Sequence, residues 1–272
     1  MNALLKQFLL AATAAACIAL TACGGGGSGD NPIPPSPEAH INSSNFLEAT
    51  GIAAAGAQHG GDQLSAGAAP VFELKEQGTP GTYACKDGGT VNMALVDKVN
   101  NLTVLNCKSG NVFVASGAIT DTSETTAAGQ VHAIKIKDLS FRVGDTDLTM
   151  QTLNGSMNAT LKPDGSLSAV KADFSYTRNG RTDTLALNQE ANGQMFIEVQ
   201  TPNFPQKLAI DISADEKTVK ISSRGDGSSV TVIESSDGKS YTLELRGIGG
   251  GSPIATKTLT SAEFEALIKK WL

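Results

Sequence analysis

Two stretches of the chain place a serine three residues ahead of a lysine: Ser168-Ala169-Val170-Lys171 and Ser236-Asp237-Gly238-Lys239. In that spacing a lysine can take the proton of the serine hydroxyl and turn it into a nucleophile. The enzymes that use it need the pair at a helix start, with Ser-Asp-Asn and Lys-Thr-Gly elements completing the site. Here both pairs fall in strand or turn patterns, and we read the spacing as coincidence. The three histidines, His40, His59 and His132, match no metal-ligand spacing. Asp145, Asp147, Asp211 and Asp215 could contain a carboxylate pair for acid–base work, but nothing selects one pair over the ordinary acids of surface strands and turns. There is no Gly-x-Ser-x-Gly elbow and no phosphate-cradling P-loop. The sequence therefore predicts no enzyme, no cofactor and no metal site.

The most specific chemistry belongs to a cysteine. Lys6 is the only charged side chain ahead of an apolar run from Phe8 to Ala19, and small residues then lead to Leu20-Thr21-Ala22-Cys23, followed by Gly24 to Gly27. The apolar run suits a cleaved export signal and is too short to span a bilayer. Leu20 to Cys23 resembles the lipobox of bacterial lipoproteins. That resemblance implies a signal peptide over residues 1 to 22, diacylglycerol on the Cys23 sulfur and an acyl chain on its new amine. Several acyl chains, each contributing about 0.8 kcal/mol per buried methylene, exceed the marginal hold of one. Gly24, where retained lipoproteins carry an aspartate, is similar to the pattern exported to the outer membrane. The implied address is the outer membrane, lipid-anchored through Cys23, with the periplasmic or surface-facing side left open.

Cleavage at that point removes Lys6 and no acid from a chain of net charge −6, which leaves −7. This balance argues against nucleic acid as a partner and against a polybasic lipid-binding surface. With Cys17 leaving in the signal and Cys23 acylated, Cys85 and Cys107 are the remaining thiols. In an oxidising envelope they are expected to form a disulfide. In the chain-entropy model such a bridge stabilises the fold by roughly 3 kcal/mol. A metal or redox pair would need further ligands or a Cys-x-x-Cys spacing.

The elements that must carry these residues follow from composition and period. Residues 23 to 44, rich in glycine and then in proline at Pro32, Pro34, Pro35 and Pro37, read as a tether with a span of roughly 25 Å if fully flexible. Residues 45 to 58 read as a short helix, with Asn45 and Glu48 in capping-box-like spacing and with Gly51 and Gly56 weakening it. From Thr82 onward apolar side chains alternate with polar ones, as in Leu139-Phe141-Val143, Met157-Ala159-Leu161 and Ala172-Phe174-Tyr176. Met195-Ile197-Val199, Leu208-Ile210-Ile212 and Tyr241-Leu243-Leu245 continue the series. Asp164-Gly165, Asn179-Gly180, Asn192-Gly193, Asp226-Gly227 and Asp237-Gly238 stand between runs as hairpin turns. The expected fold is mainly β, an antiparallel meander over residues 45 to 272 forming a half-barrel, a barrel or a sandwich. A C-terminal amphipathic helix, with Thr260 and Glu263 as its capping box and Phe264, Leu267, Ile268 and Trp271 on one face, would cover part of the apolar side.

Tyr83-Ala84-Cys85, Gly88-Gly89-Thr90, Asn106-Cys107 and Gly117 resemble a module of bacterial envelope lipoproteins of uncharacterised activity, in which a Cys precedes a Gly-Gly-Thr strand start and a second Cys follows Asn. The resemblance marks residues 80 to 121 as a disulfide-containing segment and implies no activity. The two strands read at Val91–Val96 and Leu102–Leu105 would be pinned at their outer ends by the cysteines. Two function classes follow: a non-catalytic binding protein taking an apolar ligand or an envelope protein, and a structural or assembly lipoprotein contacting other outer-membrane components. An enclosed cavity would favour the binding protein, and a solid core with an exposed sheet edge would favour the structural or assembly lipoprotein. An envelope hydrolase ranks below both.

Overall fold

Side chains that alternate across a pleated strand leave one apolar face, and the turn dipeptides reverse the chain after each run. In the computed structural model this produces fourteen strands hydrogen-bonded in chain order as one open, antiparallel sheet, in place of a closed barrel. The structure describes residues 40–75, 79–127, 129–144, 148–162, 167–204, 206–215 and 217–271, with only the backbone described for 63–75 and 167. Asp164-Gly165 therefore lies outside the described residues. Asn179 and Gly180, at φ 51° and 75°, form the two-residue turn expected of an Asn-Gly pair. Asp97 and Lys98 make a similar turn at φ 49° and 66° without a glycine to announce it.

The chain divides into two compact units. One, Gly61–Thr182, holds β1 (Gly81–Ala84), β2 (Thr90–Val96), β3 (Val99–Ser109), β4 (Val112–Thr126), β5 (Gly129–Val143), β6 (Gln151–Leu161) and β7 (Leu167–Arg178). Its apolar face is built in rows across the strands. Met93 stands opposite Leu102, Leu102 opposite Ile119, Ile119 opposite Ile136, and the row ends with Gly155 beneath Phe174. The ladder is interrupted around Ser116 in β4 and between Ile136 and Leu139 in β5, where Asp138 takes φ 49°. Each extra residue restores the inward phase, so Leu139 and Phe141 are fully buried.

The other unit joins the described residues through Gly60 to Asp183–Leu272. It holds most of β8 (Arg181–Gln189), then β9 (Met195–Gln200), β10 (Leu208–Ile212), β11 (Thr218–Ser223), β12 (Ser229–Glu234), β13 (Ser240–Arg246) and β14 (Ala255–Thr260). One row runs Leu187, Ile197, Ile210, Ile221, Val230, Leu245 across six strands, every member buried. Helix α1 (Phe46–Lys75) starts where the sequence placed a helix and continues well past residue 58. Ile52, Ala53, Ala54, Ala55 and Ala57 are almost completely buried, and tertiary packing of that kind overrides the low helix propensity of the intervening glycines. The proposed capping box at its start does not form. Asn45 Oδ1 accepts from the Asn42 N–H and its amide donates to the His40 carbonyl, while Glu48 lies 3.4 Å from Lys270 Nζ.

Helix α2 (Ser261–Lys269) does carry its capping box: Thr260 Oγ1 accepts from the Glu263 N–H, and the Glu263 carboxylate accepts from the Thr260 N–H at 2.7 Å. Phe264 and Ile268 are buried, and the Phe264 ring meets Tyr241 at 4.5 Å between centroids. Gly51 of α1 is where the two helices touch. A Cβ there would stand 2.8 Å from Trp271 Cδ1 and 2.9 Å from the Leu267 carbonyl oxygen.

Candidate functional site

Cys85 and Cys107 are bonded, with their Cα atoms 5.4 Å apart. Cys85 follows β1 and Cys107 lies in β3, so the bridge reaches past β2 and does not simply pin the outer ends of β2 and β3. The loop between β1 and β2 is tied to β3 by its backbone: the Lys108 N–H donates to the Gly88 carbonyl at 2.8 Å and the Asp87 N–H to the Lys108 carbonyl at 2.9 Å. Gly89, at φ 80°, passes so close to β3 that a Cβ would fall 1.8 Å from the Asn106 carbonyl oxygen. Asn106 takes φ 51°, and across it the inward phase of β3 changes, so that Cys107 is buried although Leu105 is exposed. The Gly-Gly-Thr and Asn-Cys pieces of the sequence module are thus two sides of one backbone contact. With Cys85 and Cys107 both buried, this arrangement holds structure and offers no accessible thiol chemistry.

The structure disperses the other candidates. Ser168 and Lys171 both lie in β7, where Ser168 is the unpaired residue of a register shift against β6 and Lys171 stands opposite Asn158, so neither is at the helix start that the chemistry needs. Ser236 and Lys239 lie in the turn between β12 and β13. There Asp237 Oδ1 accepts from Ser235 Oγ at 2.7 Å and from the Lys239 N–H at 3.1 Å. Asp215 repeats that arrangement between β10 and β11, with Ser213 Oγ at 2.6 Å and the Lys217 N–H at 3.2 Å. In both turns the serine hydroxyl first, and then the backbone N–H, hold the carboxyl below its ordinary range. These acids build hairpins and remain ionised at neutral pH. Asp211 sits on β10 away from the apolar row, Asp145 and Asp147 lie outside the described residues, and so does Cys23. His40 is exposed, and His59 is half-buried near the middle of α1.

One group escaped the sequence reading. Asp121 of β4 is fully buried in an inward position opposite Ile134, and both its carboxylate oxygens lie near His132 Nδ1 of β5, at 3.2 and 3.3 Å. Register also sets exposed Ser123 opposite His132, two positions along β4 from Asp121 and hence on the same face. Strand parity was the available signal: Asp121 shares the phase of Ile119. An open cleft of about 390 Å³ continues along the hairpin, lined in part by Thr125, Gln130, Leu161 and Lys162.

On the outer side of the other unit, Glu198 of β9 accepts from Lys207 Nζ and from Arg224 Nε, each at 2.9 Å, and the Arg224 guanidinium lies over the Phe196 ring. Burial by itself would raise the Glu198 carboxyl, but the two cations and their hydrogen bonds outweigh it and lower it. The end strand β14 is mostly exposed. The Ser261 N–H bonds the Lys239 carbonyl, and this alternation turns the backbone groups of Thr256 and Thr258 away from β13. Among the described residues no group of three or more His, Cys, Asp and Glu stands together to hold a metal ion, and no helix is long and apolar enough to cross a membrane. No protein-family model matches the chain, and no curated protein matches it.

Proposed function

We propose that this chain is a lipid-anchored envelope protein, held to the outer membrane through acylated Cys23, whose β-body binds another envelope component without catalysis. The anchor rests on the lipobox resemblance, since residues 1 to 39 lie outside the described residues. The observation that carries the binding role is the β14 edge, where Thr256 and Thr258 present backbone donors and acceptors to an extended segment of a partner protein. The tightly packed inward rows favour a protein partner over an apolar ligand. Tethering raises local concentration at the membrane, so a weak edge contact suffices.

Crosslinking on the native membrane, followed by mass spectrometry of copurified proteins and of the N-terminal peptide, tests both parts. The anchor reading requires a diacylglyceryl-modified Cys23. Thr258→Pro removes an outward N–H and leaves the β13 ladder intact. It should abolish most partner crosslinking while shifting the unfolding midpoint by only a few degrees; undiminished crosslinking would remove β14 as the binding edge.

A second reading, an envelope hydrolase, draws support from Ser123, His132 and Asp121 sharing one face beside a cleft. The residue types are those of an acyl-transfer triad. Ester hydrolysis that is lost in Ser123→Ala, with unfolding unchanged, would replace the binding reading with this one; equal activity of the two proteins would dismiss it.

A further inference from the structure

The loop between β13 and β14 is unlike every other turn of its unit. From Gly247 to Ile254 it carries no charged side chain, and it exposes two large apolar ones, Ile248 at 74% and Ile254 at 66%. Its base is fastened: Arg246 donates to the Gly251 carbonyl and pairs with Glu244 at 2.7 Å. The neighbouring turns at the same end of the meander keep their charges occupied. Lys207 and Arg224 both engage Glu198, and Asp226 accepts from the Ser228 N–H and hydroxyl. The opposite end is built from the Asp215 and Asp237 turns with exposed Lys217 and Lys239 beside them.

The N-terminal segment enters at the apolar end. The Ile41 N–H donates to Ser228 Oγ at 2.7 Å in a buried contact, and the next residue, Ser229, stands opposite Arg246 at the base of the loop. The described chain therefore begins at this end of the sheet, roughly 20 Å, the length of a six-residue strand, from the end carrying Asp215 and Asp237.

We propose that the Gly247–Ile254 loop is a second membrane contact, with Ile248 and Ile254 seated in the interfacial layer of the bilayer that receives the anchor. The occupant is a lipid surface, because two isolated aliphatic side chains on an uncharged loop match the apolar boundary below the headgroups, and the paired charges around them remove the electrostatic cost of approach. The contact would orient the unit with its Asp215 and Asp237 turns away from the membrane. This inference rests on the anchor reading, and its test separates the two.

The full chain, acylated and reconstituted in phosphatidylethanolamine/phosphatidylglycerol vesicles that carry a headgroup-level quencher, is labelled with a fluorophore at Ile248→Cys or, for reference, at Lys217→Cys. Quenching at position 248 should exceed that at 217 several-fold. Equal quenching, with mass spectrometry finding lipid on Cys23, would overturn the loop contact and leave the anchor standing. If Cys23 carries no lipid, the anchor reading fails separately, and flotation of the unacylated full chain with the same vesicles decides the loop. Ile248→Ser combined with Ile254→Ser should then weaken binding by at least about tenfold, with thermal unfolding unchanged as the control for folding. Unweakened binding would overturn the proposal.

Discussion

Single residues decide this fold where two backbones approach each other. Gly89 carries both constraints, a positive φ and an Asn106 carbonyl oxygen where a Cβ would go. Gly89→Ala should cost about 2–4 kcal/mol in denaturant unfolding. Gly110→Ala, at φ 58° with open space around it, should cost only about 1 kcal/mol. Similar losses at the two positions would mean that the contact with Asn106 is not a constraint. Removing the disulfide by Cys85→Ala with Cys107→Ala should cost about 2–4 kcal/mol, measured against the same wild type. At Gly51 the helix gains propensity from alanine but loses the approach of Trp271 and the Leu267 carbonyl. Burial of a clash against backbone outweighs the roughly 1 kcal/mol of propensity, which explains a glycine in a helix where sequence reasoning counts it as a weakness.

At the scale of elements, legibility tracks how local the cause is. Asn179-Gly180 announces its hairpin because positive φ is a property of those two residues, and the Thr260–Glu263 box announces α2 because its partners are three residues apart. The Asp97-Lys98 turn gave no such sign, since the pairing of β2 with β3 imposes the conformation. The same limit hid the full length of α1 and the candidate group at Asp121, His132 and Ser123. An acid between two threonines reads as surface until the register places it beside Ile134. Helix α2 offers the corresponding prediction. Phe264→Ala removes a fully buried ring against Tyr241 and should cost about 3–5 kcal/mol. Deleting residues 260 to 272 should lower thermal stability and raise binding of an apolar dye, and unchanged melting would contradict the packing of α2.

For the molecule as a whole, charge state links the hairpins to stability. Asp215 and Asp237 have folded pKa values below their ordinary ones, chiefly through the Ser213 and Ser235 hydroxyls. A depressed carboxyl stabilises the fold above its unfolded pKa, and that stabilisation is lost as pH falls through the folded value. Wild type should therefore melt above Asp215→Asn combined with Asp237→Asn at pH 7, with the gap closing as pH drops below about 4. A gap independent of pH would mean that the asparagines disturb the turns sterically.

The sequence by itself determined the strand alternation, the hairpins at Asn179-Gly180, Asn192-Gly193, Asp226-Gly227 and Asp237-Gly238 and the cap of α2, because each depends on a short period or a local dihedral; it pointed to the pairing of Cys85 with Cys107 only together with the expectation that Cys17 and Cys23 are otherwise committed. Tertiary structure decided which strands end the sheet, that α1 runs through its glycines to Lys75, that Asp121 faces inward, and that Ile41 meets Ser228 beside the loop of Ile248 and Ile254. Those outcomes depend on register and burial summed over residues far apart in the chain, and no local window contains both partners.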